Sequence, residues 1–324
     1  MVYADSMAFL APQGQSPVID VRKPPRLDVA HVTAASQAAL DFNATIAEIW
    51  RFVGTVLSSP MMPHGLYGKG DLDLPGMGIV FGLQCPPEGL TRDRVRMLFD
   101  LGIRFMGLAY DGITAYGSGF LTEGGLTAAG CDLLEWMAEA GMILDLAHSN
   151  DQTAHEALYF ARQHDLPLRV AATHAGVRGA YDCPRNLSDA VLCGIAERDG
   201  YVGILLTSFF LCEEGFDPLA EFVDHVRHAI RLIGAERVGV GSGIPHVGMS
   251  METAREQYDR MVKTLGTGGR LGEYFPDRPV EMIAGGDKTF PIIGNALRYA
   301  GFDPDAAASV LGGNFINFLR RSLP

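Results

Sequence analysis

The sequence predicts an α/β protein of the (β/α)8 TIM-barrel class, folded as one domain over residues 1–324. Three observations carry that expectation. Short runs rich in Val and Ile recur eight times along the chain. Longer segments with helical spacing separate them. The length, 324 residues, suits one barrel with loops of ordinary size. Runs that are apolar almost without interruption are what parallel strands covered on both faces require. Strand–helix alternation implies right-handed crossovers and a parallel sheet. Eight repeats favour a closed barrel over an open doubly wound sheet, and neither GxGxxG nor GxxxxGK(S/T) follows any run.

In chain order the expected strands are 17–20 (Pro-Val-Ile-Asp), 29–33, 78–84, 104–110, 143–148, 169–174, 201–207 and 237–242. The segment 1–16 reads as irregular. Between strands, Thr127 can cap a helix that buries Leu133, Leu134 and Met137 before Gly141 ends it. Asp217-Pro218 supplies an N-cap and a proline at N1, with Phe222, Val226, Ile230 and Ile233 on one stripe. Asp303-Pro304 opens a C-terminal helix interrupted at Gly312-Gly313. The least regular stretch, 57–77, reads as a long loop.

Composition narrows the function classes. Hydrophobic residues make up 48% and charged residues 20%, enough for a large core. The 26 Lys+Arg against 38 Asp+Glu give a net charge of −12, which repels phosphate backbones, so no nucleic-acid partner is expected. No apolar stretch is long enough to span a bilayer, and the N-terminus lacks the charged and apolar regions of a secretory signal. Five cysteines at irregular spacing suggest free thiols in a reducing, cytoplasmic setting.

In a barrel, polar residues at the C-terminal ends of strands face the active-site mouth. Those ends read Asp20, Thr33, Gln84, Tyr110, His148, His174, Thr207 and Ser242-Gly243. Two histidines ending successive strands, about 4.8 Å apart, can reach one metal ion. The arginine-bearing stretch after His174, which contains Arg178 and Arg185, can hold an anionic group, since a guanidinium fork matches a carboxylate.

These residues resemble the membrane (renal) dipeptidases, metal-dependent (β/α)8 hydrolases. The resemblance covers most of the chain. It runs through 17–20, Leu101-Gly102-Ile103-Arg104-Phe105, Gly125-Leu126-Thr127, 141–148, Thr173-His174-Ala175, Arg185-Asn186-Leu187-Ser188-Asp189, Gly239-Val240-Gly241-Ser242 and 311–315. It implies a binuclear metal site, yet most of that site is replaced. The aspartate of the first strand matches Asp20, and the His-x-Asp pair that follows falls on Arg22 and Pro24. The bridging glutamate is Gln84, and a neutral amide holds two cations together poorly. The fourth-strand histidine is Tyr110, and the eighth-strand aspartate is Gly243. What the resemblance preserves is His148 and His174 as ligands of one ion, with Arg185 as the anchor of a substrate carboxylate. Asp145 and Asp189 match family positions as supporting groups, and His246 or Asp20 is a speculative extra ligand.

The expected function is therefore a dipeptidase-like hydrolase homologue acting on a dipeptide or similar small carboxylate-bearing molecule. It would use Tyr110, His148 and His174 at the reacting centre, Arg185, Arg22 and Gln84 around the ligand, and at most one zinc ion. The resemblance also implies a homodimer. Two alternatives stay open from the residues: a metal-free acid/base enzyme of tautomerase or isomerase type, and a non-catalytic binding protein.

Overall fold

The structure, a computed structural model, describes residues 1–9, 27–35, 40–58, 62–213, 215–245 and 288–324. Its centre is an all-parallel sheet whose eight-strand path is a nearly closed barrel. The path runs β1 (Ala4–Asp5), β3 (Val29–Thr33), β5 (Gly78–Leu83), β6 (Ile103–Gly107), β7 (Ile143–Asp145), β8 (Arg169–Ala175), β9 (Tyr201–Ile204) and β10 (Val238–Val240). A ninth strand, β4 (His64–Gly65), pairs beside β5 within the expected loop 57–77. Two short strands, β2 (Ala8–Phe9) and β11 (Ile244–Pro245), pair in parallel just beyond β1 and β10 and carry the seam upward.

The helices follow α/β order: α1 (Phe42–Leu57), α2 (Arg92–Asp100), α3 (Ala128–Ala140), α4 (Asp151–Gln163), α5 (Asp189–Glu197), α6 (Pro218–Ile233) and α7 (Thr289–Tyr299). Their ends sit where local chemistry puts them. Thr127 accepts the Gly130 amide at the start of α3, and Gly141 ends it at φ 83°. Asp217 accepts the Leu219 amide, with Pro218 at N1 of α6, which buries Phe222, Val226 and Ile233. At the C-terminus the helical path kinks at Gly312, where an added Cβ would stand 2.6 Å from the Ala4 nitrogen. That approach lets the terminal helix, Asn314–Ser322, reach under the barrel. There Phe315 and Phe318 pack on Phe105 and Tyr201 and close the N-terminal end.

One expectation about the strands is corrected. The first barrel strand is Ala4–Asp5, inside the segment read as irregular, and the run 17–20 lies outside the described residues, as do Asp20, Arg22 and Pro24. Two residues is too short a run for periodicity to register. The other seven runs are strands, but five end early: pairing stops at Leu83, Gly107, Asp145, Ile204 and Val240 while the chain stays buried through Gln84, Tyr110, His148, Leu206 and Ser242. Apolar continuity reported burial there, and burial outlasts pairing.

Closure of the barrel rests on buried polar groups. Asp5 Oδ1 accepts the Ser242 and Met7 amides at 2.8 and 3.0 Å, and Oδ2 accepts the Ser242 hydroxyl at 2.5 Å. The Ser6 amide donates to Val240 O, and the Gly243 amide to Met7 O. On the outside, His225 of α6 ties two loops together: its Nδ1 accepts the Val177 amide at 2.9 Å, so its Nε2–H donates to Leu211 O at 3.0 Å.

Replacing Asp5 by Ala leaves three buried donors without their acceptor and should lower unfolding stability by about 2–4 kcal/mol, read by urea denaturation. A loss under about 1 kcal/mol would show that the seam does not depend on this carboxylate. Burial brings His225 down from 6.5 to about 4, so the folded state binds its proton less tightly than the unfolded chain does. Its contribution is complete above pH 6.5 and is lost as pH falls toward 4, by up to about 3 kcal/mol. Thermal melts from pH 7 to 4.5 should therefore fall more steeply for the parent protein than for His225→Gln.

Candidate functional site

The site lies where β5 to β8 end. Gln84 directly follows β5, Tyr110 and Asp111 follow β6, His148 follows β7, and His174 is the penultimate residue of β8. Parallel pairing β5–β6–β7–β8 sets these ends side by side. His148 Nε2 and His174 Nε2 stand 3.0 Å apart, with the rings edge-on. Gln84 Nε2 lies 3.1 Å from the same nitrogen of His174. Tyr110 stacks on the His148 ring with centroids 4.0 Å apart. All of these side chains are buried.

Beneath each imidazole is a polar support. Asp111 Oδ1 meets His148 Nδ1 at 2.8 Å. Thr173 Oγ1 meets His174 Nδ1 at 3.0 Å and donates to Asp145 Oδ2 at 2.6 Å. Asp145 Oδ1 accepts the Thr173 and Ala147 amides at 2.9 and 3.1 Å. Asp145, expected in a supporting role, thus holds both strand ends. Asp189, matched with it, instead lies in the first turn of α5 and accepts from His228 Nε2 at 2.7 Å.

Arg185 reaches the centre from the loop after β8. Its guanidinium donates to Ala147 O and, at 2.9 Å, to His174 O, which locks the ends of β7 and β8 together. Phe120 and Phe210 flank it, each ring centroid 5.8 Å from Cζ. No carboxylate lies within ion-pairing distance of it among the described residues.

The electrostatics follow from burial around that cation. Desolvation first, and the Arg185 charge second, push His148 and His174 well below the ordinary imidazole range, so both are neutral at pH 7. Desolvation pushes Asp111 up to about 7 against the opposing pull of Arg185. Burial raises the Tyr110 hydroxyl well above 10, which keeps it a phenol. The described centre therefore sets one buried guanidinium beside two neutral imidazoles, with the Asp145 carboxylate engaged by the Thr173 hydroxyl and the Thr173 and Ala147 amides.

The residues do not fit the binuclear metal site that the resemblance implied. With Ala4–Asp5 as the first strand, Asp5 takes the position expected of Asp20, and the two positions that follow at the same spacing are Met7 and Phe9. Neither is a ligand for a divalent cation of this kind, and Met7 is fully buried. No group of three or more His, Cys, Asp or Glu able to hold a metal occurs among the described residues. A single ion is a different matter. Two ligand atoms of a tetrahedral zinc stand about 3.3 Å apart, close to the separation of the two Nε2 atoms. The eighth-strand position is strained for any side chain: Gly243 has φ 63°, and a Cβ there would meet His174 Cδ2 at 3.2 Å. His246 lies outside the described residues.

The structure thus brings together Gln84, Tyr110, His148, His174 and Arg185, all read from strand ends or resemblance. Sequence reasoning missed Asp111, Thr173, Phe120 and Phe210. Asp111 and Thr173 adjoin residues it had found, and that adjacency was the available signal. Phe120 and Phe210 arrive from two separate loops, for which no local pattern exists.

Comparison with known proteins agrees with this architecture. A metallopeptidase from Rhodobacter sphaeroides, solved with a phosphinate mimic of the dipeptide L-Ala-D-Ala, superposes with a TM-score of 0.74 at 16% identity, covering 99% of each chain. An amidohydrolase from Pseudomonas aeruginosa superposes at 0.80 with 18% identity, covering 99% of this chain and 96% of that one. At such identities these matches speak for the fold. In sequence, an uncharacterised dipeptidase from Schizosaccharomyces pombe is 32% identical over 189 residues, 55% of this chain and 45% of the relative. Dipeptidase 3 from Mus musculus is 24% identical over 235 residues, 70% of this chain and 41% of the relative. The chain thus spans under half the length of both relatives. The family profile described as "Membrane dipeptidase (Peptidase family M19)" matches residues 90–269, which is 180 of the 324 residues and includes His148, His174 and Arg185. The chain belongs to the membrane dipeptidase family.

Proposed function

We propose that this protein is a dipeptidase-like hydrolase homologue that binds a dipeptide or a similar small molecule bearing a carboxylate, with at most one metal ion. The observation that carries the reading is Arg185: a buried guanidinium, without an acidic partner among the described residues, beside two neutral imidazoles. A buried charge calls for a counter-charge, and a ligand carboxylate supplies one. Two of its N–H groups are spent on Ala147 and His174, which fixes the guanidinium in place before a ligand arrives.

His148 and His174 would hold the ion through Nε2, and a divalent ion there would polarise a scissile carbonyl and make bound water acidic. Around it, Asp111 orients His148, and Thr173 with Asp145 orients His174. Gln84 offers an amide toward the same place. Tyr110, kept a phenol by burial and stacked on His148, supplies an O–H donor rather than a base.

Protein purified without chelators and titrated with zinc should bind no more than one equivalent by elemental analysis. Two equivalents, or failure of any dipeptide, including L-Ala-D-Ala, to be cleaved or to raise the melting temperature, would reject the reading. Arg185→Met should weaken binding of a phosphinate dipeptide mimic by about tenfold to a hundredfold, the value of a charge-assisted hydrogen bond. Gly243→Asp, which returns an acid to the eighth strand, should not raise turnover. It should cost about 1–3 kcal/mol of stability, because aspartate must take φ 63° against the His174 ring.

A further inference from the structure

We infer that Asn150 is a positioning residue of the site: its side-chain amide pins the strap 112–126, between β6 and α3, so that Phe120 is held over the Arg185 guanidinium. The inference deepens the proposed function, from which it takes only that a ligand carboxylate lies against Arg185.

The strap runs across the exit of β7, where Gly119 bridges to Ser149. Its internal bonds close it on itself, from the Gly119 amide to Gly112 O at 2.8 Å and from the Thr122 amide to Gly119 O at 3.0 Å. What ties it to the barrel comes from the end of β7 and the start of α4. The Phe120 amide donates to His148 O at 3.0 Å, and the Ser118 amide to Thr153 Oγ1 at 3.1 Å. Asn150 adds more bonds than either. Its own amide donates to Ser118 O at 3.0 Å, and its side chain bridges helix and strap. The Thr153 amide is a donor, so Oδ1 faces it, at 2.8 Å, and caps α4. Thr122 O and Gly124 O are acceptors, so Nδ2 faces them, at 2.8 Å each. A side-chain amide has two protons to give, and both go to the strap. Serine or aspartate would cap the helix as well, but neither could donate twice.

Phe120 is what the strap delivers. Its ring lies 5.8 Å from Arg185 Cζ, 6.4 Å from the His148 ring and 6.1 Å from Phe210, which it meets edge-on. Held there, it keeps water off one side of the guanidinium. A charge-assisted hydrogen bond to a carboxylate strengthens as water leaves, because the local dielectric falls. Asn150 thus acts on the ligand through Phe120.

The test is Asn150→Ser, which keeps the cap and removes both strap donors. Hydrogen exchange read by mass spectrometry on the full chain should accelerate about tenfold to a hundredfold in peptides from 112–126, the worth of two hydrogen bonds. Peptides within 151–163 should keep parent rates. The dissociation constant of a phosphinate dipeptide mimic for the zinc-titrated protein should rise about threefold to thirtyfold. Phe120→Leu should weaken the mimic without loosening the strap, and adding Asn150→Ser to it should cost about twofold or less. Parent exchange rates over 112–126, equal acceleration over 151–163, an unchanged dissociation constant, or additive losses in the double variant would each overturn the inference. Asn150→Asp, another capping residue without a donor, replaces Asn150→Ser if the serine variant does not fold. Failure of the parent to bind the mimic would reject the proposed function, whereas exchange over 112–126 reads the strap without any ligand, so the two failures are distinguishable.

Discussion

Everything at the mouth of this barrel depends on the sheet closing, and a buried carboxylate, Asp5, is the side chain that ties the first strand to Ser242 at the seam. The first and last strands of the path do not meet through an ordinary ladder. Instead Asp5 accepts the amide and hydroxyl of Ser242, while main-chain bonds from Ser6 and Gly243 cross the same seam. A side chain that caps two strands at once can join runs too short to pair well, and β1 has only two residues. With the ring closed, the ends of β5, β6, β7 and β8 have fixed neighbours, and the His148–His174 contact follows from strand adjacency.

The site is then governed by the buried Arg185 cation. The Arg185 guanidinium sits beside two neutral imidazoles, while the described carboxylates Asp111 and Asp145 are engaged with His148 and Thr173. That cation lowers the proton affinity of both imidazoles and competes with burial at Asp111. The same arginine binds the carbonyls of Ala147 and His174, so the group that suits an anionic ligand also sets the geometry of the imidazoles. Removing it would disturb position and electrostatics together.

The backbone after the last strand of the path suits glycine at residue 243. Gly243 turns through a left-handed conformation, and an added Cβ would stand 3.2 Å from His174 Cδ2. A side chain there would adopt a strained left-handed conformation and press on the ring that Thr173 and Asp145 support.

The barrel was legible in the sequence because parallel strands buried on both faces leave apolar runs, and Val29–Thr33 was readable to the residue. His148, His174, Gln84 and Tyr110 were legible because the fold concentrates function at strand ends. The first strand was not, since Ala4–Asp5 has no period to detect and its place is assigned by pairing with Val29 and by Ser242, 237 residues away. Asp111, Phe120 and Phe210 were hidden for a related reason: their significance lies in what faces them. By itself the sequence determined the class of fold, the strand ends and the residue types available there, because hydrophobic periodicity and covalent chemistry are local. Only the tertiary structure decided that two histidines meet at 3.0 Å, that Arg185 is buried without an ion-paired acid among the described residues, and that the Thr173 hydroxyl is spent on Asp145. Hydrogen-bond direction and desolvation depend on groups brought together from across the chain.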